Sequence, residues 1–433
     1  IKVLGNTSSI KKIIYKKNVE HVIIAIPSLS HKELKTLYDA IKNSGVKNIK
    51  IVPRIYDLSN TKIDIKSLES IKIEDLIGRQ VVKLDYKGIE NFLISSSVLI
   101  TGACGSIGSE IVVQVCAYNP TKVILFDIDE TAMHNIELRI KKKFPNIEGK
   151  IHFIIGDVKD IRRLDDVFMQ HTPDRVFHAS AYKHVPMMEY NPTEAIKVNL
   201  FGTYNVAQIA IKYGVKTFIM ISTDKAVEPT SVMGASKRLA EETCRALNGS
   251  TEFISVRFGN VLGSRGSVLP LFMEQLKEGG PLTVTHKEMK RYFMTIPEAV
   301  SLVLQASVIG NGGEVMVLDM GKPIKIVNLA EELIKFHGFE PYEDIDIKFV
   351  GLRPGEKLFE ELLTAEEGTV ATKHEKLFIA KNNEHLSIEQ LNVLLDDFKV
   401  ALGENSIVAN KKIRELLRKY VRHFDKGEKP PLT

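Results

Sequence analysis

Val98-Leu99-Ile100-Thr101-Gly102-Ala103-Cys104-Gly105-Ser106-Ile107-Gly108 is the stretch that decides the fold. Val98 to Ile100 reads as a short apolar strand, preceded by the polar triplet Ser95-Ser96-Ser97. The three glycines let the backbone turn sharply and approach a pyrophosphate. A helix starting near Ile107 presents its free N–H groups to that anion. An acidic residue is then expected at the end of the next strand, about 20 residues on. Asp127 stands there, after Val123-Ile124-Leu125-Phe126. Its carboxylate suits the adenine ribose hydroxyls and repels a 2′-phosphate, so the expected dinucleotide is NAD rather than NADP. Asp157, after the third strand, is placed to meet the adenine.

Outward from this turn, strands and helices alternate. Strands are expected at Lys122–Phe126, His152–Ile155, Arg175–His178, Thr217–Ile221 and Glu252–Val256. This βαβ rhythm predicts an α/β fold with a doubly wound parallel sheet. Beyond about residue 262 the rhythm loosens. Short strands (Ile345–Val350, Leu377–Ala380) mix with helices (Ser387–Val400, Lys411–Phe424), which predicts a smaller C-terminal substrate lobe. Upstream, Val22–Ile26 and Ile49–Val52 read as strands around a helix from Lys32 to Ser44: a small N-terminal α/β domain with parallel pairing. It has no glycine-rich loop, so a structural or oligomerising role is expected. The predicted organisation is 1–75 for this domain, 76–96 for a connector and 97–433 for the catalytic domain. Within the last, 97–262 binds the dinucleotide and 263–433 forms the lobe.

Composition fits a globular protein of two or three domains: 433 residues, 44% hydrophobic and 26% charged. The net charge of +5 comes from scattered Lys and Arg, which argues against nucleic acid as a partner. Cys104, Cys116 and Cys244 fit no zinc spacing and read as reduced thiols of a cytosolic protein. His178 and His184 show no metal-ligand spacing either, and no metal is expected. No apolar run suggests a membrane helix. The chain begins at Ile1 rather than Met, and an anchor upstream stays open.

Chemistry is expected at the carboxyl ends of the strands. Ser222-Thr223-Asp224-Lys225-Ala226 stands there, followed by Met233-Gly234-Ala235-Ser236-Lys237. The Thr-Gly-x-x-Gly-x-x-Gly turn, Asn199 and Ser222-Thr223 resemble the short-chain dehydrogenase/reductase superfamily, extended type, a Rossmann fold. That superfamily has Tyr-x-x-x-Lys where this chain has Met233 and Lys237. A thioether has no proton to exchange. Either the chain is inactive or its acid/base work has moved, and Asp224 with Lys225 are the obvious replacements.

With Arg257-Phe258-Gly259-Asn260-Val261, Gly263-Ser264-Arg265-Gly266-Ser267-Val268 and Leu352-Arg353-Pro354-Gly355-Glu356-Lys357, the chain resembles throughout the CapD-type polysaccharide biosynthesis proteins, UDP-N-acetylglucosamine 4,6-dehydratases. The long form with Met at the Tyr position resembles the branch that retains configuration at C5, typified by the bacillosamine-pathway dehydratase PglF. The resemblance implies transient oxidation at sugar C4 by NAD, loss of water across C5–C6 and return of the hydride to C6. The product is a UDP-2-acetamido-2,6-dideoxy-4-hexulose, a nucleotide-sugar step in glycan assembly or protein glycosylation.

The resemblance also implies roles. Lys225, neutral, takes the C5 proton; Asp224, protonated, gives one to the C6 hydroxyl; Thr223 relays the C4 hydroxyl proton to Lys225 or Lys237. Met233 completes the catalytic set. Cofactor contacts are assigned to Gly102, Cys104, Gly105, Ser106, Ile107, Gly108, Asp127, Ile128, Asp157, Val158, Ala179, Ala181, Lys183, Asn199, Ser222 and Lys237. Substrate contacts fall to Lys183, Asn260, Arg265, Ser267, Val268, Arg291, Arg353 and Glu356, cations and amides suited to a pyrophosphate and uridine. Long family members carry a membrane anchor before the first unit, so a cytoplasmic-side, inner-membrane location and a homo-oligomer are expected. Two rivals remain: a nucleotide-sugar 4-epimerase, and a non-catalytic NAD or UDP-sugar-binding module.

Overall fold

A computed structural model describes residues 2–26, 29, 31–46, 48–51, 69–70, 84–362, 368–381 and 385–424. The chain divides into two compact units, 1–83 and 84–433. In the first, helix α1 (Ile10–Lys17) precedes strand β1 (His21–Ile24), helix α2 (His31–Lys42) and strand β2 (Asn48–Ile51). Strands β1 and β2 pair in parallel, as the strand-helix-strand pattern predicts. A short β3 (Glu69–Ser70) adds an antiparallel edge.

The second unit opens with α3 (Tyr86–Leu93), inside the span read as connector. Ile89 and Leu93 are buried, and the Asp85 amide donates to Gln305 at 2.7 Å. The expected 76–96 connector therefore ends, from residue 84 on, as part of the larger unit; residues 76–83 lie outside the described ones.

Then come β4 (Ser97–Thr101), α4 (Ser106–Ala117), β5 (Lys122–Asp127), α5 (Glu130–Lys143), β6 (Ile151–Ile155), α6 (Ile161–His171) and β7 (Arg175–His178). After α7 (Val185–Tyr190) and α8 (Pro192–Ala195), a π-helical turn over Ile196–Gly202 leads into α9 (Thr203–Lys212). Strand β8 (Thr217–Ile221), α10 (Val232–Ala246) and β9 (Glu252–Arg257) follow. Each predicted strand is present within two residues of its expected ends. Strand β4 is buried along its whole length, which is why it reads as an unbroken apolar run.

The remainder holds β10 (Asn260–Val261), α11 (Val268–Lys277), β11 (Leu282–Val284), β12 (Lys290–Arg291), β13 (Phe293–Met294), α12 (Ile296–Ile309), β14 (Glu314–Leu318), β15 (Ile324–Lys325), α13 (Ile326–Phe336), β16 (Ile347–Phe349), β17 (Thr369–Ala371), β18 (Leu377–Ala380), α14 (Ile388–Leu402) and α15 (Ser406–Tyr420). The main sheet runs β17-β18-β14-β9-β8-β7-β4-β5-β6. From β14 to β6 every pairing is parallel; β18 and β17 are antiparallel.

Two expectations about the C-terminal part change. Leu377–Ala380 is not in a separate lobe: it extends the main sheet, paired with β14. Helices α14 and α15 bury Leu391, Leu394, Phe398, Ile413 and Leu417 in one apolar cluster with Met188, Leu200, Met233 and Leu239. They seal the helical layer beside α10, because their apolar faces find complementary surface there. No described helix is long and apolar enough to cross a membrane.

Candidate active site

Strand order reverses between β4 and β7, so the crevice lies at their carboxyl ends. Gly102 follows β4 with φ +64°. A Cβ there would stand 2.6 Å from the Ser180 amide nitrogen and 2.7 Å from the Ala179 carbonyl carbon. Only glycine fits both the torsion and this approach. Gly105 caps α4 without a side-chain hydrogen bond, leaving the first N–H groups of the helix for an anion. Asp127 accepts from the Cys104 amide at 2.8 Å and the Asp129 amide at 3.0 Å. Each carboxylate oxygen keeps a lone pair for a ribose hydroxyl. Ile128 is exposed beside it. Asp157 closes a turn on the Lys159 amide at 2.9 Å and pairs with its ammonium at 3.4 Å, while Val158 is buried in the core.

Asn199 sits in the π-helical turn, fully buried. Its Oδ1 accepts from the Tyr182 amide at 2.8 Å; its Nδ2 donates to the Tyr182 carbonyl and to Ser236 Oγ. Its amide is thus a clamp on the loop carrying Ala181 and Lys183, rather than the expected cofactor ligand. A π-turn re-aims one side chain, which is why such turns gather at working sites. Below it, Thr203 Oγ1 donates to the Asn199 carbonyl and so must accept from His178 Nε2 at 3.0 Å. His178 Nδ1 then accepts from Thr101 at 2.7 Å. Burial first, then Lys237, hold this imidazole neutral with a pKa pulled to about 3.

Asp224 and Lys225 lie just beyond β8. Asp224 is 1% exposed. Its Oδ1 accepts from Lys225 Nζ at 2.9 Å and from Thr223 Oγ1 at 2.9 Å. Its Oδ2 is buried with no partner among the described residues. Lys225 Nζ also donates to Asn260 Oδ1 at 3.2 Å. A residue the sequence reading missed completes the cluster: Glu360 Oε1 stands 3.7 Å from Lys225 Nζ and 3.7 Å from Arg291 Nη2. Burial pulls the Lys225 ammonium down, but Asp224 and Glu360 together outweigh it and the net shift is upward. Burial raises the Glu360 carboxyl; Lys225 opposes that and Asp224 adds to it. The expected neutral Lys225 is therefore not the resting form, because two carboxyl groups face it.

The other assignments separate. Met233 is 3% exposed inside the apolar cluster with Leu239 and Phe398, so it packs and carries no chemistry. Lys237 is buried, and burial lowers it to about 8. Ser222 Oγ donates inward to Glu241 at 2.6 Å. Glu241 in turn accepts from Arg257 Nε at 2.8 Å and Nη2 at 2.7 Å, a fully buried fork also absent from the sequence reading. Arg291 is buried and donates to the carbonyls of Lys290, Lys357 and Leu358, so it holds the 357–360 segment and not a phosphate. Arg265, expected at the nucleotide of the substrate, instead reaches the glycine turn. Its guanidinium donates to the Cys104 carbonyl, its amide to Ser106 Oγ at 3.1 Å, and Asp129 lies 3.9 Å away. Lys183 Nζ donates to the Arg265 carbonyl at 2.8 Å.

Ser267 and Val268 begin α11. Ser267 Oγ is buried without a partner among the described residues. Arg353 is exposed, and its amide donates to Glu356 Oε2 at 3.2 Å. Glu356 lines a cavity of about 440 Å³ with Glu228, Thr230, Gly355, Lys357 and His423. The three cysteines are free and buried, and burial pushes each thiol up to about 12, so they stay protonated.

The family described as polysaccharide biosynthesis protein matches residues 98–382. Capsular polysaccharide biosynthesis protein CapD of Staphylococcus aureus is 46% identical over 402 residues, covering 92% of this chain and 66% of its own length. This chain thus spans just under two thirds of that relative. UDP-glucose 4-epimerase of Rickettsia canadensis is 36% identical over 284 residues, 63% of this chain and 79% of that protein. Among solved structures, Pen from Bacillus thuringiensis aligns with a TM-score of 0.61 and 34% identity, over 70% of this chain and 98% of its own. The turn at Gly102, the crevice between β4 and β7 and these likenesses lead to one statement: the chain belongs to the polysaccharide biosynthesis protein family.

Proposed function

We propose that this chain is an NAD-dependent UDP-N-acetylglucosamine 4,6-dehydratase that retains configuration at C5, a hydro-lyase in a glycan-assembly pathway. The observation that carries this reading is the Asp224–Lys225 pair at the carboxyl end of β8, its carboxylate buried and its ammonium partly open, with Asp224 Oδ2 left without a partner among the described residues. An oxidation alone needs no such pair; expulsion of water needs an acid and a base side by side. The dinucleotide fits its place: the turn at Gly102, the uncapped start of α4 and Asp127 would hold pyrophosphate and ribose. Lys237, buried without a hydrogen-bond acceptor among the described residues, would hold the nicotinamide ribose. When bound, NAD supplies a reversible hydride acceptor and is left unchanged overall.

Lys225 is the base for the C5 proton, and Asp224 the acid that protonates the departing C6 oxygen. The resting pair carries its proton on Lys225. One transfer along the 2.9 Å hydrogen bond yields neutral amine and carboxylic acid, the state the elimination needs. Closing a dry site over substrate favours that neutral pair, since low dielectric penalises both charges. Asn260, Ser267, Val268, Arg353, Glu356 and Lys183 remain as groups for the UDP-sugar, and Arg265 serves the cofactor side. A membrane anchor upstream of Ile1 and a homo-oligomer belong to the same proposal.

The test is incubation with UDP-N-acetylglucosamine without added cofactor, followed by mass spectrometry. Loss of one water with C5 configuration retained supports the reading. An isomer of unchanged mass supports the second reading, a 4-epimerase, which the Rickettsia relative favours. Lys225→Met is expected to abolish turnover while the dinucleotide stays bound; surviving turnover removes Lys225 as the base.

A further inference from the structure

We propose that Glu360 is the third acid/base group of the site, the residue that relieves Lys225 of a proton during turnover. This rests on the dehydratase reading above. Among the described residues, Lys225 Nζ hydrogen-bonds Asp224 Oδ1 at 2.9 Å and Asn260 Oδ1 at 3.2 Å and ion-pairs with Glu360 Oε1 at 3.7 Å. An amide cannot take a proton at ordinary pH, so the acceptors are the two carboxyl groups. Glu360 is nearly buried, with a side chain 5% exposed, yet among the described residues no hydrogen bond commits its oxygens. Arg291, fixed by three carbonyls of its neighbourhood, stands 3.7 Å behind the same oxygen. Asp224, Lys225, Arg291 and Lys357 are the charged groups that face it.

Where Lys225 rather than Lys237 takes the C4 hydroxyl proton, the proton count calls for a third group. Two protons leave the sugar before either returns: one from the C4 hydroxyl, one from C5. The working pair starts as Asp224 carboxylic acid and Lys225 amine. If Lys225 accepts the C4 hydroxyl proton it becomes ammonium, and the pair is full. It cannot then take the C5 proton. Transfer to Glu360 clears it: one N–H bond of the ammonium breaks, its electron pair stays on nitrogen, and one O–H bond forms on Glu360. Lys225 takes the C5 proton while Asp224 gives its own to the departing hydroxyl. Lys225 returns its proton to C5. Glu360 then gives back the stored proton, and the resting Asp224 carboxylate with Lys225 ammonium is restored. No further oxidant, reductant or co-reactant enters. The carbonyls of Lys357 and Leu358, held by Arg291, place Glu360 where this exchange requires it.

The test compares Glu360→Gln and Glu360→Asp with the parent chain, using UDP-N-acetylglucosamine. Glu360→Gln is expected to lower kcat about 100-fold with little change in KM, the loss typical of one acid/base group. The fall of kcat/KM at acid pH, where Glu360 is already protonated in the parent, disappears with it. Glu360→Asp keeps the carboxyl and restores most of the rate. A Gln variant with parental kcat and pH profile overturns the proposal, and so does an Asp variant as slow as the Gln one. A second measurement needs no substrate: NMR titration of side-chain-labelled lysines. Lys225 is expected to titrate at lower pH in Glu360→Gln, and an unchanged midpoint overturns the proposal. If the parent chain releases no water from the UDP-sugar, the dehydratase reading falls, and the titration still judges Glu360.

Discussion

Packing around this site is close enough that one added carbon would clash. Gly234 is the sharpest case. A Cβ there would run into the Lys225 carbonyl oxygen and lie 3.2 Å from Pro229 Cβ. Gly234→Ala is therefore expected to push α10 off the Asp224–Lys225 loop. The overpacking costs about 1–3 kcal/mol, and turnover falls even where the protein remains folded; melting curves beside kcat check both. Lys237 carries a pH signature. Its folded pKa, about 8, lies below the ordinary 10.5, so the folded chain binds fewer protons between those values. Stability then rises with pH across that window, and the penalty is complete below it. Lys237→Met removes a penalty on the order of 3 kcal/mol at pH 7 while abolishing turnover. Urea midpoints of both proteins at pH 7 and pH 10.5 check this, the gap closing at the higher pH. At this scale Asp127, Asp224 and Lys225 were legible, since each follows a strand whose end the apolar run marks. Glu360 was not, although it continues the Arg353-Pro354-Gly355-Glu356-Lys357 motif. A carboxylate gains meaning only from what it faces.

Elements set those single residues in place. Helix α10 is capped by Ser231, whose hydroxyl accepts from the Gly234 amide at 3.1 Å. One face of it joins the apolar cluster through Met233 and Leu239. The other offers Glu241 to Arg257 on β9 and Ser222 after β8, tying helix to sheet under the site. Glu241→Gln removes the charge that compensates a fully buried guanidinium. The expected cost is about 3–5 kcal/mol, read as a lower denaturant midpoint at unchanged slope. The strand periodicities were readable because parallel strands are apolar throughout. The use of α14 and α15 was not. Amphipathic helices announce that one face is covered, and nothing in their pattern says by what.

For the whole molecule, the contacts divide at Lys83 and Leu84. A chain starting at Leu84 retains the full main sheet and its helices. It is expected to fold, to keep its dinucleotide and to turn over within about twofold of the parent, which calorimetry and the product assay check. A collapse of the shortened chain would show that the first unit is needed for the fold of the second.

The sequence by itself determined the doubly wound sheet, the glycine turn and the placing of Asp224 and Lys225 side by side after β8. These are local facts: a strand period, a left-handed torsion, two adjacent residues. Only the tertiary structure decided that Met233 packs, that Arg291 and Asn199 clamp backbone, that Arg265 leans on the glycine turn and that Glu360 meets Lys225. The physical reason is shared. Burial, charge pairing and hydrogen-bond direction depend on groups far apart in the chain, and no spacing rule along it encodes which of them meet.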